Sequence, residues 1–272
     1  MKANYSVDAS KVFVTGLSAG GGMAAVMLAK WPEIFAGGAP MSGVYYNCAY
    51  DTSKANDAKP AFDCMGVSKT GFSPLAGCSD ESGEACQPSV RRKTASAMGD
   101  FVRQAHSGYT GPYPRVIIWQ GLKDQYVDDI NAIEMMEQWT NVHGTDAVAD
   151  NGGSKLKDGN SNHTYKEYTK NSVPVVGLVE LASMTHGIAN DPNGTGDDAG
   201  GAKSPAYAMG GPYAFDKGIY SAYYSAKWWG IIGPQDQAPE VSITSPSEGA
   251  ANLTTVNIQA SLSDDNALTK VE

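Results

Sequence analysis

"VFVTGLSAGGGMAAVMLAKWP", Val12–Pro32, decides the fold. Val12, Phe13 and Val14 are β-formers and predict a strand over Ser10–Thr15, ended by Gly16. Met23–Lys30, built from Ala, Met and Leu, predicts a helix that Pro32 stops. Between them lies "GLSAG", Gly16–Gly20, a G-x-S-x-G pattern with one hydroxyl among glycines. At a strand-to-helix corner this pattern makes a tight turn that lifts the serine above the sheet. Glycines are expected at the flanking positions because side chains there would strike neighbouring backbone. Ser18 is therefore a candidate nucleophile, and the Ala19 N–H at the helix start a candidate oxyanion donor. The alternative is an ordinary glycine-rich turn with a solvated serine.

A serine hydroxyl needs a base to take its proton. The chain has four histidines. His106 follows a helical run, His143 ends an amphipathic one and His163 lies in polar sequence, so each reads as a surface residue or a cap. His186, in "SMTHGIAND", lies just beyond an apolar strand, where loops at the C-terminal ends of parallel strands converge. It is the candidate base. A carboxylate must hold its tautomer, and in this type of fold it falls between serine and histidine in the chain. Asp124 in "WQGLKDQYV" follows the strand ending at Trp119 and is the candidate acid. Asp128 and Asp129 are its rivals, with Asp129 better placed to cap the helix from Ile130.

Further strands are expected over Phe35–Val44, Pro114–Gly121 and Val173–Ala182. Helices are expected over Val90–His106, Ile130–Val142 and Ile219–Gly230, and a polar loop or hairpin over Thr145–His163. Near-continuous apolar strands alternating with helices imply an α/β fold, a mostly parallel sheet with helices on both faces. After Gly233 the sequence turns to short alternating β runs, the opening of an Ig-like module. The expected domains are thus 1–233 and 234–272. Trp119, Trp139, Trp228 and Trp229 are assigned no binding role, because helical spacing makes Trp139 and Trp228 core residues.

The 272 residues are 42% hydrophobic, enough for a sizeable core. A net charge of −9 argues against a nucleic-acid or anionic-membrane partner. No apolar run approaches the length of about 18 residues that spans a bilayer. Cys48, Cys64, Cys78 and Cys86 lie in loop-like sequence with no C-x-x-C pair and no adjacent histidine, so disulfides are expected rather than a metal site. Cys48–Cys64 and Cys78–Cys86 close short loops, although three pairings are possible.

With these residues placed, Val7–Gly233 resembles the polyhydroxybutyrate depolymerase esterases, α/β-hydrolases related to feruloyl and acetylxylan esterases. The resemblance rests on the stretch from Val7 through "SAGGGMAAVMLAKWPEIFAGGAPMSGVYYNCA", on "AFDCM", on "PRVIIWQGLKDQYVDDINAIEMMEQWTNVHG" and on "GGPYAFDKGIYSAYYSAKWWGIIG". It implies Ser18 as nucleophile, Asp124 as acid and His186 as base, with no metal or organic cofactor. "MTHG" stands for the family's "GMGHG", and Gln120 in "IWQG" replaces a non-catalytic histidine. The implied protein is a secreted serine esterase acting on an insoluble polyester such as poly(3-hydroxybutyrate). The alternatives are a feruloyl or acetylxylan esterase acting on plant cell wall, and a non-catalytic polymer-binding domain on a hydrolase scaffold. In that fold the nucleophile follows the fifth strand, whereas Ser18 follows the first seen here. The expectation is therefore the C-terminal half of the hydrolase sheet and a truncated linker. Further strands and the second oxyanion donor would lie upstream, and these residues alone would show little activity.

Overall fold

The computed structural model describes residues 7–49, 64–66, 93–201, 213–232, 240–245 and 259–263. Its contacts divide the chain into Met1–Trp229 and Gly230–Glu272. In the first unit β1 (Phe13–Leu17), α1 (Ala19–Lys30), β2 (Gly37–Met41), α2 (Ala95–Ala105), β3 (Arg115–Gly121), α3 (Ile130–His143), β4 (His163–Lys170) and β5 (Val173–Leu181) follow in order. They build one sheet with strand order β1-β2-β3-β5-β4. The ladders β1·β2, β2·β3 and β3·β5 are parallel, and β4 returns antiparallel to β5. This is the α/β-hydrolase type of sheet that the alternating apolar strands predict. Among the described residues, β1 pairs with β2 alone and forms one edge.

β3 and β5 read as near-continuous apolar runs because they are buried on both faces of the sheet. Along β3, Val116 and Ile118 point into a core shared with Leu28 of α1, Met98 and Val102 of α2, and Trp139 of α3. Ile117 and Trp119 point into the opposite core with Val179, Leu181, Met184, Ile219 and Tyr224. Each large side chain removed from water in this way stabilises the fold by about 2–3 kcal/mol. The Trp119 indole N–H is satisfied by Ser225 Oγ at 2.9 Å. Thr94 caps α2 by accepting the Ala97 N–H at 3.2 Å, a contact that contributes about 1 kcal/mol. Gly144 closes α3 in the left-handed region with φ 71°.

Three smaller elements follow the sheet: β6 (Ile188–Asn190), β7 (Ala214–Asp216) and α4 (Ser221–Trp229). The C-terminal end of α4 is held by Arg115 at the start of β3. Its guanidinium donates to Trp228 O at 2.7 Å, Trp229 O at 3.3 Å and Pro174 O at 2.6 Å. It also lies 4.4 Å from the centre of the Trp228 ring. No helix among the described residues is long and apolar enough to cross a membrane.

Residues 145–162 carry neither helix nor strand, as the expected polar loop does, whereas β4, beginning at His163, is a strand not among those expected. One expectation needs correction. His143 and His163 are buried, not surface caps. His143 Nε2 lies 3.0 Å from Pro114 O, while His163 Nε2 accepts the Leu156 N–H at 3.2 Å. Burial lowers both imidazoles to a pKa of about 4. In the second unit, β8 (Glu240–Ser245) pairs antiparallel with β9 (Gln259–Ser263), the all-β texture expected there.

Candidate active site

Every candidate residue leaves the C-terminal end of a parallel strand, the edge where open α/β sheets place their ligands. Ser18 is the single residue between β1 and α1. Its backbone sits at φ 60°, ψ −120°, a conformation an L-residue adopts only at a cost of about 1–3 kcal/mol. Two hydrogen bonds enforce it: the Ser18 N–H donates to Met41 O at 2.9 Å, and the Gly22 N–H to Ser18 O at 3.0 Å. Gly16 is required, because a Cβ there would run into the Gly20 backbone. Gly20 is not, since a Cβ there meets nothing within 4 Å. Only one of the two flanking glycines is therefore imposed by crowding, fewer than the sequence pattern implies. Ala19 opens α1, so its N–H is among those without a partner inside the helix.

Asp124 and His186 are brought together by two loops that touch along their backbones. The Leu122 N–H donates to Leu181 O at 3.0 Å and the Lys123 N–H to Met184 O at 2.9 Å. Gly121 permits the approach: a Cβ there would strike Met184 O and lie 2.6 Å from Thr185 O. Beyond His186, the Ile188 N–H donates to Tyr213 O at 2.9 Å, so β6 and β7 pin the far side of the loop. His186 Nδ1 stands 2.8 Å from Asp124 Oδ2. The other carboxylate oxygen accepts the Tyr126 and Val127 N–H groups, each at 2.9 Å. Gln120 Nε2 donates to Val127 O at 3.2 Å, to Gly121 O at 3.1 Å and, more weakly, to Asp124 Oδ2 at 3.4 Å. Gln120 thus holds the loop that carries the acid.

The rivals lie elsewhere in the same turn. Asp128 Oδ1 accepts the Ile130 N–H at 3.1 Å. Asp129 occupies the position before Ile130, yet its side chain makes no capping hydrogen bond. His106 Nδ1 instead lies 3.2 Å from Glu33 Oε2.

Ser18 and His186 line one pocket of about 320 Å³ together with Leu17, Met65, Tyr126 and Tyr213. Tyr126 and Tyr213 flank the imidazole at ring-centre distances of 5.1 and 6.1 Å. Neither tyrosine nor Met65 stands out in the sequence, because nothing local announces that three separate loops meet over one ring. Met65 is held by a disulfide: Cys48 is bonded to Cys64, the pairing expected from its short loop. Met65 O also accepts the Asp128 N–H at 2.8 Å and Asn131 Nδ2 at 2.9 Å. Cys78 and Cys86 lie outside the described residues. A hydroxyl on a strained turn, sharing a pocket with a buried imidazole–carboxylate pair, has the groups that acyl transfer needs.

A family model described as "Prolyl oligopeptidase family" matches residues 1–149, and one described as "Bacterial Ig domain" matches residues 239–272. Poly(3-hydroxyalkanoate) depolymerase C of Paucimonas lemoignei is 38% identical over 233 residues, covering 86% of this chain and 47% of that protein. An acetylxylan esterase of Coprinopsis cinerea is 36% identical over 140 residues, 52% of this chain and 31% of that protein. The chain spans less than half the length of these curated relatives. Among solved structures, an acetyl xylan esterase from Aspergillus awamori shares the fold with a TM-score of 0.55 at 21% identity. That likeness covers 85% of this chain and 63% of the other.

Proposed function

The chain belongs to the prolyl oligopeptidase family and is a homologue of a poly(3-hydroxyalkanoate) depolymerase, and on that premise we propose that it is a secreted serine esterase cleaving polyesters of hydroxyalkanoic acids. The observation that carries this reading is the 2.8 Å contact between His186 Nδ1 and Asp124 Oδ2 in a pocket that Ser18 also lines. Asp124 fixes the tautomer with the proton on Nδ1, which leaves Nε2 basic. Nε2 takes the Ser18 proton as Oγ attacks the ester carbonyl. The Ala19 N–H donates to the oxyanion of the tetrahedral intermediate, aided by the positive end of α1. Collapse breaks the carbonyl–alkoxy bond, and the proton on Nε2 goes to the departing alcohol. Water, deprotonated by the same nitrogen, then hydrolyses the acyl–Ser18 ester and returns the proton to Oγ.

Polyester is favoured over plant cell-wall esters because the depolymerase likeness runs over 233 residues and the acetylxylan esterase likeness over 140. The cell-wall reading retains support from the feruloyl esterase B of Neurospora crassa, 37% identical over 144 residues. The Cys48–Cys64 disulfide and the Ig-domain match support an extracellular setting. A fluorophosphonate probe tests the chemistry: it labels the wild type and not Ser18→Ala. Release of hydroxybutyrate rather than acetate or ferulate tests the substrate class. A folded wild type that resists labelling would leave a polymer-binding domain as the better account.

A further inference from the structure

Gln120 is 1% exposed and does not line the pocket that Ser18 and His186 share. Its amide is bonded on one side only. The Nε2 end meets three acceptors: Gly121 O at 3.1 Å, Val127 O at 3.2 Å and Asp124 Oδ2 at 3.4 Å. Among the described residues its Oε1 has no partner. Ser42, whose N–H bonds Trp119 O from the neighbouring segment, has an Oγ that is unmatched as well. The amide is thus held by its donor end. Reversed, it would set one oxygen against a carboxylate oxygen and two carbonyl oxygens with no proton between them, so its orientation is fixed. A buried acceptor without a partner lowers stability, and an apolar side chain of the same length would avoid that loss. What the amide adds at this position is the donor.

We propose that Gln120 is a positioning residue for the ester chemistry, holding Asp124 Oδ2 in place against His186 Nδ1. The proposal rests on the esterase reading and adds to it a side chain outside the substrate pocket. Asp124 Oδ1 is fixed by the Tyr126 and Val127 N–H groups, but both bonds end on one oxygen, and the carboxylate can pivot about it. Oδ2 is met by His186 Nδ1 at 2.8 Å and by Gln120 Nε2 at 3.4 Å. Without the amide, Oδ2 would be located by the ring that it has to orient. Gln120 also bonds Val127 O, and the N–H of that same residue holds Oδ1, so the pivot and the free oxygen are fixed from one side chain. The length of the bond to Oδ2 fits the role. A strong donor there would draw charge from the oxygen that stabilises the imidazolium.

Two variants test this. Gln120→Met keeps the length and removes the donor. Gln120→Glu keeps the shape and makes the donor depend on a proton. Buried beside the Asp124 carboxylate, the new acid is expected to stay protonated at neutral pH, to donate through its O–H, and to lose that donor as the pH rises. The readout is steady-state kinetics on a p-nitrophenyl ester between about pH 6 and about pH 9, with urea midpoints to confirm folding. Gln120→Met is expected to lower kcat about tenfold or more, with KM within about twofold and a deficit that does not change with pH. Gln120→Glu is expected to stay near the wild type at about pH 6 and to fall to the level of Gln120→Met by about pH 9. Asp124, Asp128, Asp129, Glu134 and His186, the titratable groups of the acid loop, of α3 and of the base, are present in all three proteins. Ratios to the wild type therefore cancel their titration.

A wild-type kcat in Gln120→Met overturns the proposal. So does a loss confined to KM, or a Gln120→Glu deficit that is the same at every pH. Failure of both variants to fold overturns it too, because it would make Gln120 a packing residue alone. In each of these cases a wild type that hydrolyses the ester and labels at Ser18 leaves the esterase reading standing. A folded wild type that neither hydrolyses the ester nor labels overturns both.

Discussion

His186 Nδ1 and Asp124 Oδ2 are 62 residues apart in the chain and 2.8 Å apart in space. The His186 side chain is 7% exposed and that of Asp124 0%. The carboxylate is bonded on both oxygens, so it has no freedom to rotate away from the ring.

That rigidity makes Asp124→Asn informative. One carboxylate oxygen accepts the Tyr126 and Val127 N–H groups. An asparagine must keep its carbonyl oxygen there and turn its NH₂ toward His186. The ring then holds its proton on Nε2 and cannot act as base. The expected result is a fall in kcat of about ten-thousand-fold with KM little changed, measured by steady-state kinetics on a soluble ester. A loss of tenfold or less would remove Asp124 from the proposed relay.

Strain at Ser18 predicts a split between stability and activity. Alanine and glycine both remove the hydroxyl, but only glycine is at ease at φ 60°. Ser18→Gly is therefore expected to be more stable than Ser18→Ala by about 1 kcal/mol or more in urea unfolding, both being inactive. Equal stability would mean that the turn stores no strain.

The two glycines of the pentapeptide are predicted to behave differently. Gly16→Ala drives a methyl into the Gly20 backbone and is expected to cost about 1–3 kcal/mol, with loss of activity. Gly20→Ala points its methyl into open space within a helix and is expected to be neutral, or stabilising by up to about 1 kcal/mol. Comparing the urea midpoints of the two variants checks this.

Stability is expected to fall between pH 6.5 and 4. His143 and His163 have folded pKa values of about 4, below the ordinary 6.5, because burial penalises the charged ring. In that window the unfolded chain binds more protons, so their contribution is complete above pH 6.5 and is lost on acidification. Each adds a slope of up to about 1.4 kcal/mol per pH unit. His143→Gln is expected to remove one proton from the measured slope, whatever it does to stability at neutral pH. An unchanged slope would show that His143 is not held neutral.

The apolar strands were legible because sheets buried on both faces leave uninterrupted signals: "RVIIWQG" reads directly as β3. β4, "HTYKEYTK", was not. Among the described residues it is an edge strand, Lys166, Glu167 and Lys170 interrupt its apolar pattern, and a register shift between Tyr168 and Thr169 breaks the two-residue alternation. Ser18, Asp124 and His186 could be nominated because each sits just after a readable strand. The open space beside Gly20, the carbonyl beside His143, and the tyrosines around His186 depend on segments remote in sequence. No local pattern encodes them.

Arg115 clasps the last carbonyls of α4 at the opposite end of β3 from Gly121 and Asp124. The seven residues of that strand span roughly 20 Å. Any tug arriving along the backbone at Gly230, such as a tether to a solid particle would exert, is thus grounded at the base of the sheet. The candidate catalytic side chains lie at the other rim of the sheet, a strand's length from that anchor.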